Sequence, residues 1–317
     1  MVLSARDVPI VKKCLDRLME TYGPSCLDSD PLGMVHPYTC REDREVIAFF
    51  SAALAFGNAK SVRESIRRVS DILGSRPAEM LRKFEFRGKA GPFANIVHRW
   101  VGPEDMARFA HTTGAALRQY GSLEALFMEG FSPDAPTLQG ALVRFRNRLI
   151  SLDPGNGQAI RTGRRDSFPY LLPDPSGPSA CKRLHLFLKW MVRPADGVDL
   201  GLWLTPRPSQ LIIPVDTHIA RIGTLLGLTD RRTADRRMAD EITASLRLLN
   251  PDDPVSFDFA ITRLGILGHC PRKPIDHLCA GCPLQDACRH WRRIPKRKKL
   301  AALEQVSVPS AGSAPSV

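Results

Sequence analysis

Four cysteines near the C-terminal end of the chain are spaced closely enough to act together. Cys270, Cys279, Cys282 and Cys288 follow the pattern C-x8-C-x2-C-x5-C. Thiolates bind soft metal centres, and a Cys-x-x-Cys pair occurs in zinc sites and in iron–sulfur sites. The longer intervals on either side of the pair allow the chain to wrap around something larger than a bare ion. The spacing therefore predicts a metal or cluster site, with unlinked reduced thiols as the alternative.

The identity of the metal stays open at this level. Tetrahedral zinc sites also use the x2 pair, and His269, His277 and His290 are additional nitrogen ligands close by in the sequence. Disulfides are the least favoured reading, because the charged N-terminal segment MVLSARDVPIVKKCLDRLME does not resemble a secretory leader. We expect a protein of the reducing cytoplasm that does not span a membrane and that is a monomer.

Charge and composition favour a polyanionic partner. The 317 residues are 43% hydrophobic, which is enough for one large core or two smaller ones, and the 45 basic and 33 acidic residues give a net charge of +12. Each phosphate contact made by Lys or Arg releases counterions, so such an excess suits nucleic acid, although a generally basic surface is the simpler explanation. A dense basic run follows the cysteines: Arg289, Arg292, Arg293, Lys296, Arg297, Lys298 and Lys299.

Apolar residues recur at helical spacing along most of the chain, and no segment alternates as a strand would. The patterns predict helices at 43–56, 60–73, 104–120, 137–151, 179–193, 216–227, 233–249 and 254–267. Two segments rich in Gly and Pro, 151–179 and 193–211, predict long irregular connections, and the last eleven residues have the composition of a disordered tail. Four cysteines outside the array are expected to be ordinary thiols: Cys14, Cys26, Cys40 and Cys181.

A second chemical signal lies in LIIPVDTHIARIGTLLG. Pro214 disfavours helix immediately before it, and Asp216 then stands where a helix N-cap belongs, ahead of an apolar stripe. A capping role explains this aspartate on local grounds. A cap carboxylate can also face a cleft, and the rigid approach through Pro214 would hold it in place.

VDTHIAR followed by the four-cysteine array resembles the helix-hairpin-helix DNA glycosylases, the superfamily of endonuclease III and the adenine DNA glycosylases. The resemblance implies that Asp216 is the catalytic aspartate and that the cysteines hold a [4Fe-4S] cluster. REVIAFFSAALAFGNAKSV looks like the early helix that ends at the DNA cleft of that fold. The implied fold class is all-α and two-lobed, with a C-terminal iron–sulfur loop, and the implied partner is double-stranded DNA with a damaged base.

The whole chain looks closest to a bacterial family of this superfamily known mainly as a domain of unknown function. CKRLHLFLKWMVR is also similar to the archaeal 8-oxoguanine DNA glycosylases, in which a lysine at the position of Lys182 attacks the sugar. The resemblance makes Lys182 the candidate nucleophile and implies lyase activity on an oxidised base such as 8-oxoguanine. Lys189, seven residues further on the same helical face, is the weaker candidate. Arg183 is a cationic neighbour that would help keep Lys182 unprotonated.

Three departures from the superfamily pattern stand out. PDPSGPSACKR replaces the usual hairpin, and Gly177 is its single glycine, so Ser176 and Ser179 are the expected phosphate donors there. The stretch from Lys182 to Asp216 is longer than in endonuclease III. The first cysteine interval is x8 instead of x6, which affects a loop more than the ligand set. The remaining predicted DNA contacts are Arg183, Lys189, Arg289, Arg292 and Arg293.

Excision of a base requires a pocket that receives the flipped nucleotide. Trp203, in the long segment before Asp216, is the expected pocket residue, and Trp190 and Phe187 are expected in the core because they lie on a regular helix. His218 is a weaker pocket candidate that we expect to orient the loop, and His185 is expected to pack.

These inferences predict five segments: an N-terminal extension that packs on the cluster lobe (1–42), a helical-barrel lobe (43–193), a connecting insertion (194–213), a lobe with Asp216 and the cluster (214–293), and a basic, then disordered tail (294–317). The leading functional hypothesis is a base-excision DNA glycosylase with lyase activity. The alternative is a non-catalytic DNA-binding protein on the same fold that carries an iron–sulfur cluster or zinc.

Overall fold

The computed structural model describes residues 3–155, 166–295, 298–300 and 302, and helices dominate them. Within these ranges there is no strand, only two isolated bridges, so the predicted all-α class is confirmed. The helices are α1 (Val8–Thr21), α2 (Arg41–Leu54), α3 (Ala59–Leu73), α4 (Pro77–Lys83), α5 (Pro103–Tyr120), α6 (Leu123–Met128), α7 (Gln139–Ser151), α8 (Phe168–Leu171), α9 (Lys182–Val192), α10 (Thr217–Leu226), α11 (Arg236–Arg247), α12 (Asp258–Ile266), α13 (Asp276–Ala280) and α14 (Arg289–Arg293).

The eight predicted helices all exist, as α2, α3, α5, α7, α9, α10, α11 and α12. Local capping sets several of their ends: Asn58 accepts a hydrogen bond from the Ser61 amide at the start of α3, and Asp235 accepts one from the Met238 amide at the start of α11. Helix α9 starts at Lys182, later than predicted, because Cys181 has a left-handed backbone with φ 42°. Most of the helices that the sequence did not predict are too short to show the helical spacing of apolar residues.

Helix α2 lies at the centre of the first group of helices. It packs against α3, α4 and α9, and its residues are almost all buried. The ring of Phe49 stacks on Phe109 of α5 at 5.0 Å between centroids and contacts Phe187 of α9 at the same distance. Phe145 of α7 completes the cluster. This aromatic core fixes the position of α9 relative to α2, as expected for Phe187.

A second group of helices contains α1, α10, α12 and α14. Helix α12 packs against both α1 and α10, and α14 packs against α10. Helix α11 approaches α10 closely at Gly223, where a β-carbon would lie 3.1 Å from Ile242. Tyr22, at the end of α1, shares a 2.6 Å hydrogen bond with His269 next to the cysteine array. One continuous apolar core runs through both groups of helices.

The segment 194–213 returns along the end of α9. The amides of Leu200 and Trp203 donate to the carbonyls of Trp190 and Met191, which would otherwise lack partners at the helix terminus. A short 3-10 turn, Pro208–Gln210, is its one helical element, which agrees with the predicted irregular connection.

The other predicted connection, 151–179, is not irregular throughout, because it contains α8. Its central part, 156–165, lies outside the described residues, as do Lys296, Arg297 and the tail from 303 onward. Among the described helices, none combines the length and apolar character that a membrane crossing requires.

Glu45 is a buried carboxylate that joins three elements. It accepts hydrogen bonds from the amides of Leu123 and Glu124, which are the first donors of α6, and from the indole of Trp203 at 2.7 Å. Burial raises the pKa of this carboxyl group, and the three donors oppose that shift. Glu45 therefore holds α2, α6 and the segment 194–213 together.

We expect Glu45→Ala to lower the free energy of unfolding by about 3 kcal/mol, because it leaves two buried donors and one partly buried donor without an acceptor. Glu45→Gln keeps one carbonyl oxygen and should lose less. Urea unfolding of the two variants measures the difference. Equal stability of Glu45→Ala and the wild type would show that these hydrogen bonds do not stabilise the fold.

Candidate functional site

A cleft of about 550 Å³ separates the two groups of helices. One wall is formed by the connection between α2 and α3 and by the start of α3, together with one face of α9 from Lys182 to Trp190. The other wall is formed by the start of α10 and by α12. Lys182 and Asp216, which the sequence analysis selected from different segments, both line this cleft.

Lys182 is the first residue of α9 and is only partly buried. Its amine donates a hydrogen bond of 3.1 Å to the carbonyl of Ala55, just beyond the end of α2. Burial of the amine lowers the pKa of Lys182, and the negative charges of Asp216, Asp258 and Asp30 oppose this shift only in part. A lysine with a lowered pKa has a larger neutral fraction near pH 7, which is the form that attacks carbon.

Asp216 is the N-cap of α10, as predicted. Its Oδ1 accepts hydrogen bonds of 2.8 Å from the amides of both His218 and Ile219. No hydrogen bond to Oδ2 occurs within the described parts of the chain. The cap therefore fixes the carboxylate through one oxygen, while the residue as a whole borders the cleft.

The floor of the cleft contains a buried ion-pair network. Lys189 is 1% exposed, and its amine lies 3.2 Å from Asp199 and 3.3 Å from Asp258. Burial alone would lower the pKa of Lys189, but the two carboxylates raise it above its ordinary value. Burial raises the pKa of Asp258 to about 6, against the opposing effect of Lys189.

This network corrects the assignment of Lys189 as a DNA contact. An ammonium held between two buried carboxylates has no surface to offer to a phosphate. The raised pKa also disfavours it as a nucleophile, since the charged form has no lone pair. Lys182 remains the candidate.

Asp30 and Arg263 form part of the cleft lining near the network. The carboxylate of Asp30 lies 2.8 Å from the guanidinium of Arg263, and both side chains are largely buried. The guanidinium also lies over the ring of Phe259. This ion pair ties the segment after α1 to α12 across the end of the cleft.

Both tryptophans lie in the core, which was expected for Trp190 but not for Trp203. Trp203 is 1% exposed, packs against Phe127 and Phe187 and is not part of the cleft lining. Trp190 is 2% exposed, as expected for a core residue, although it also borders the cleft. The prediction for Trp203 was wrong because its segment folds back onto α9 instead of reaching the cleft.

The two histidines behave largely as expected. His218 lines the cleft, and its ring lies so close to α12 that a β-carbon at Gly265 would come within 2.4 Å of Nδ1. His185 is buried in the packing of α9, and burial, with a smaller effect from Arg236, lowers its pKa to about 3.

The segment that replaces the usual hairpin forms a tight turn before α9. Asp174 accepts hydrogen bonds from the amide and the hydroxyl of Ser176, and the hydroxyl of Ser179 accepts one from the amide of Cys181. Ser176 and Ser179 are exposed, and Gly177 is partly exposed. The predicted donors are therefore accessible, although both hydroxyls already take part in local hydrogen bonds.

Arg183 was predicted to contact DNA, but it is 7% exposed. Its guanidinium donates to the carbonyls of Ala53 and Tyr170 and lies over the rings of Phe56 and Tyr170 at 4.8 and 4.3 Å. Burial lowers the pKa of Arg183 to about 10. This arginine holds α9 against α2 from the inside instead of facing a phosphate.

The basic residues of α14 lie nearer the surface. Arg289 donates to Asp230, and Arg292 lies 2.8 Å from Asp7, which ties α14 to the start of α1. Arg293 is exposed. Arg292 and Arg293 keep accessible guanidinium groups, whereas Arg289 is half-buried against Gly227.

The four cysteines of the array line one small cavity of about 100 Å³. Arg221 of α10 closes one side and donates hydrogen bonds to the thiol and the carbonyl of Cys270. Burial raises the pKa of Cys282 to about 12, and the neighbouring cysteines add to this shift. Within the described residues, no three His, Cys, Asp or Glu side chains converge in a group suited to a metal ion. The donor set therefore surrounds a shared cavity without meeting at one point.

Sequence reasoning missed three acidic residues of the site: Asp30, Asp199 and Asp258. Each stands at the edge of a helix or in a connecting segment, where aspartate is common. Nothing in their local sequence distinguishes them from caps, since their role depends on Lys189 and Arg263 from other elements.

Comparison with known proteins adds one finding. Residues 30–267 match the profile of a family described as "Protein of unknown function (DUF2400)", so the match includes both walls of the cleft but ends before the first cysteine of the array. No curated protein and no solved structure gives a significant match to the chain. The matched range is about three quarters of the sequence, and the chain belongs to the DUF2400 family.

Proposed function

We propose that this protein is a base-excision DNA glycosylase with lyase activity. The observation that carries the proposal is that Lys182, whose pKa is lowered by burial, shares one cleft with the capped carboxylate of Asp216. A neutral amine and a fixed carboxylate are the two groups that this chemistry requires. The resemblance of VDTHIAR and CKRLHLFLKWMVR to DNA glycosylases supports the same assignment.

The reaction can be written with each group in a defined role. The bond between base and sugar breaks with its electron pair on the base, and positive charge develops on the sugar ring. The carboxylate of Asp216 stabilises that charge. The lone pair of the Lys182 amine forms the new bond to the anomeric carbon, and loss of its proton and ring opening give a Schiff base. Loss of a proton from the adjacent carbon then expels the 3′ phosphate.

The cleft suits a nucleotide drawn out of the duplex. Its volume lies in the range of about 300–1,000 Å³ that is typical of small-molecule pockets. Accessible side chains of the lining, those of Asn58, His218 and Phe56, offer polar and aromatic contacts to a base. We propose an oxidised or otherwise damaged base, such as 8-oxoguanine, as the substrate.

We propose a [4Fe-4S] cluster as the occupant of the cysteine site, with a zinc ion as the alternative. The proposal is supported by the spacing of the four cysteines and by the single cavity that they line. Cys270, Cys279, Cys282 and Cys288 would hold the cluster, which would stabilise the segment carrying α13 and α14 beside α10. No step of the proposed reaction passes through it.

We expect borohydride to trap the wild-type protein on a duplex that contains a damaged base, and to trap no Lys182→Ala protein. Asp216→Asn should slow adduct formation about a hundredfold or more, because the charge on the sugar loses its stabilising carboxylate. Lys13→Ala, which removes an exposed lysine of α1, is the matched control. Gel electrophoresis of the covalent adduct measures each rate.

Two outcomes would contradict the proposal. The first is a protein that binds DNA but forms no adduct on any lesion in a panel that includes 8-oxoguanine. This outcome would favour the non-catalytic DNA-binding protein. The second is an adduct that persists in Lys182→Ala, which would place the nucleophile elsewhere.

The pH profile of trapping reports the environment of Lys182. Only the neutral amine reacts, and its fraction rises as the pH passes through the pKa. Because burial lowers the pKa of Lys182 from its ordinary value of 10.5, the rate should reach half its maximum below pH 10.5. Asp216→Asn removes a charge that raises this pKa, so its slower reaction should have a midpoint at still lower pH. A wild-type midpoint at or above 10.5 would exclude a desolvated amine.

Metal analysis tests the cysteine site independently of activity. We expect protein purified without oxygen to contain about four iron and four sulfide per chain. Cys282→Ala should lose them, whereas Cys40→Ala, which changes an exposed cysteine outside the array, should retain them. One zinc per chain and no iron would establish a structural zinc site instead.

A further inference from the structure

A cluster of three aromatic side chains joins the cleft lining to the surface, and two of its rings are exposed. Trp100 is 46% exposed and Tyr170 is 40% exposed, and the two rings meet edge to face at 4.8 Å. Both also contact the ring of Phe56, which lines the cleft directly after α2. We call Phe56, Trp100 and Tyr170 the aromatic platform.

Trp100 of the platform lies on a two-residue turn that is anchored on both sides. His98 and Val101 exchange both backbone hydrogen bonds, so Arg99 and Trp100 form the tip of the turn. Arg99 has φ 56°, a left-handed conformation that residues other than glycine rarely adopt. His98 is buried, and its ring nitrogens contact Ser65 and the carbonyl of Phe56 at 2.9 Å each. This anchoring orders the exposed tip before any partner binds.

Close packing joins the turn to the cleft. The side chain of Arg99 passes over Gly57, where a β-carbon would lie 3.2 Å from its Cδ. Gly57 has φ 107° and is itself part of the cleft lining. The buried guanidinium of Arg183 supports Phe56 and Tyr170 from below. The aromatic platform and Arg183, the neighbour of Lys182 in α9, therefore belong to one packed unit.

One cation lies directly against the platform and lacks an acidic partner. The guanidinium of Arg99 lies 4.7 Å from the centre of the Trp100 ring. Arg99 is exposed, and within the described part of the chain it forms no ion pair. An unpaired cation beside exposed rings suits a partner that has both phosphates and aromatic faces.

We propose that the aromatic platform binds an unpaired nucleobase of the DNA held at the cleft, with Trp100 as the main stacking surface and Arg99 beside the flanking phosphate. This inference rests on the proposed function for the identity of the nucleic acid. Withdrawal of one nucleotide into the cleft leaves a neighbouring base without its stacking partner. An ordered ring packed on the cleft-lining Phe56 replaces that lost stacking.

The experiment compares two labelled duplexes that differ only in one extra, unpaired adenine, at a single fixed salt concentration. Trp100→Ala should weaken binding of the bulged duplex about tenfold, as expected for loss of one base–aromatic stack, and should change binding of the paired duplex by less than about twofold. Trp100→Phe, which keeps an aromatic ring, should retain most of the affinity. Leu204→Ala removes another exposed apolar side chain, on the segment 194–213, and should behave as the wild type.

Tryptophan fluorescence gives a second readout on the intact chain. Trp190, Trp203 and Trp291 are at most 8% exposed, so Trp100 is the tryptophan most accessible to a base. Addition of the bulged duplex should quench the emission of the wild-type protein more than addition of the paired duplex does. In Trp100→Ala this difference should disappear.

Three results would overturn the inference. Trp100→Ala could lose equal affinity for both duplexes, or lose affinity for neither. The third is a wild-type protein that is a dimer without DNA and becomes a monomer in Trp100→Ala, which would identify a second copy as the partner. Failure of the proposed function is distinguishable, because it appears as a missing borohydride adduct while the preference for the bulged duplex persists. A wild-type protein that binds neither duplex would overturn both.

Discussion

The junction between the end of α2 and the start of α9 is the contact on which the site depends. The last carbonyls of a helix have no partner within the helix and carry partial negative charge. Here the carbonyls of Ala53 and Ala55, at the end of α2, accept hydrogen bonds from Arg183 and Lys182. Two adjacent donors at the start of α9 therefore complete the end of α2, and the Lys182 amine is held at a carbonyl that lines the cleft.

Burial of charge has a different effect at each lysine of α9. Lys189 lies among Asp199 and Asp258, so its charge is retained and it stabilises the floor. Lys182 forms its hydrogen bond with a neutral carbonyl, and its pKa falls. The pKa values of two lysines seven positions apart on one helix thus shift in opposite directions, because their partners come from different elements. The aromatic platform continues the same packed unit to the surface through Arg183 and Phe56.

Much of the secondary structure was predictable because its signals are local. The apolar period gave eight helices, and Asp216 caps α10 as its position after Pro214 predicts. The wrong predictions concern whether a side chain faces the cleft, the solvent or the core. Trp203 lies in the core and not in the cleft because the segment 194–213 folds back along α9, which no local pattern reveals. Arg183 is likewise a buried support of the α2–α9 contact, although basic residues are usually exposed.

The sequence by itself determined the all-α class, the positions of the long helices, the cap at Asp216 and the four-cysteine spacing, because each depends on residues within a few turns of one another. The tertiary structure alone decided that Lys182 and Asp216 share a cleft, that Lys189 is ion-paired with Asp199 and Asp258, and that Trp100 packs on the cleft-lining Phe56. These are relations between distant segments, and their energies depend on burial and on partners that only the packed chain supplies.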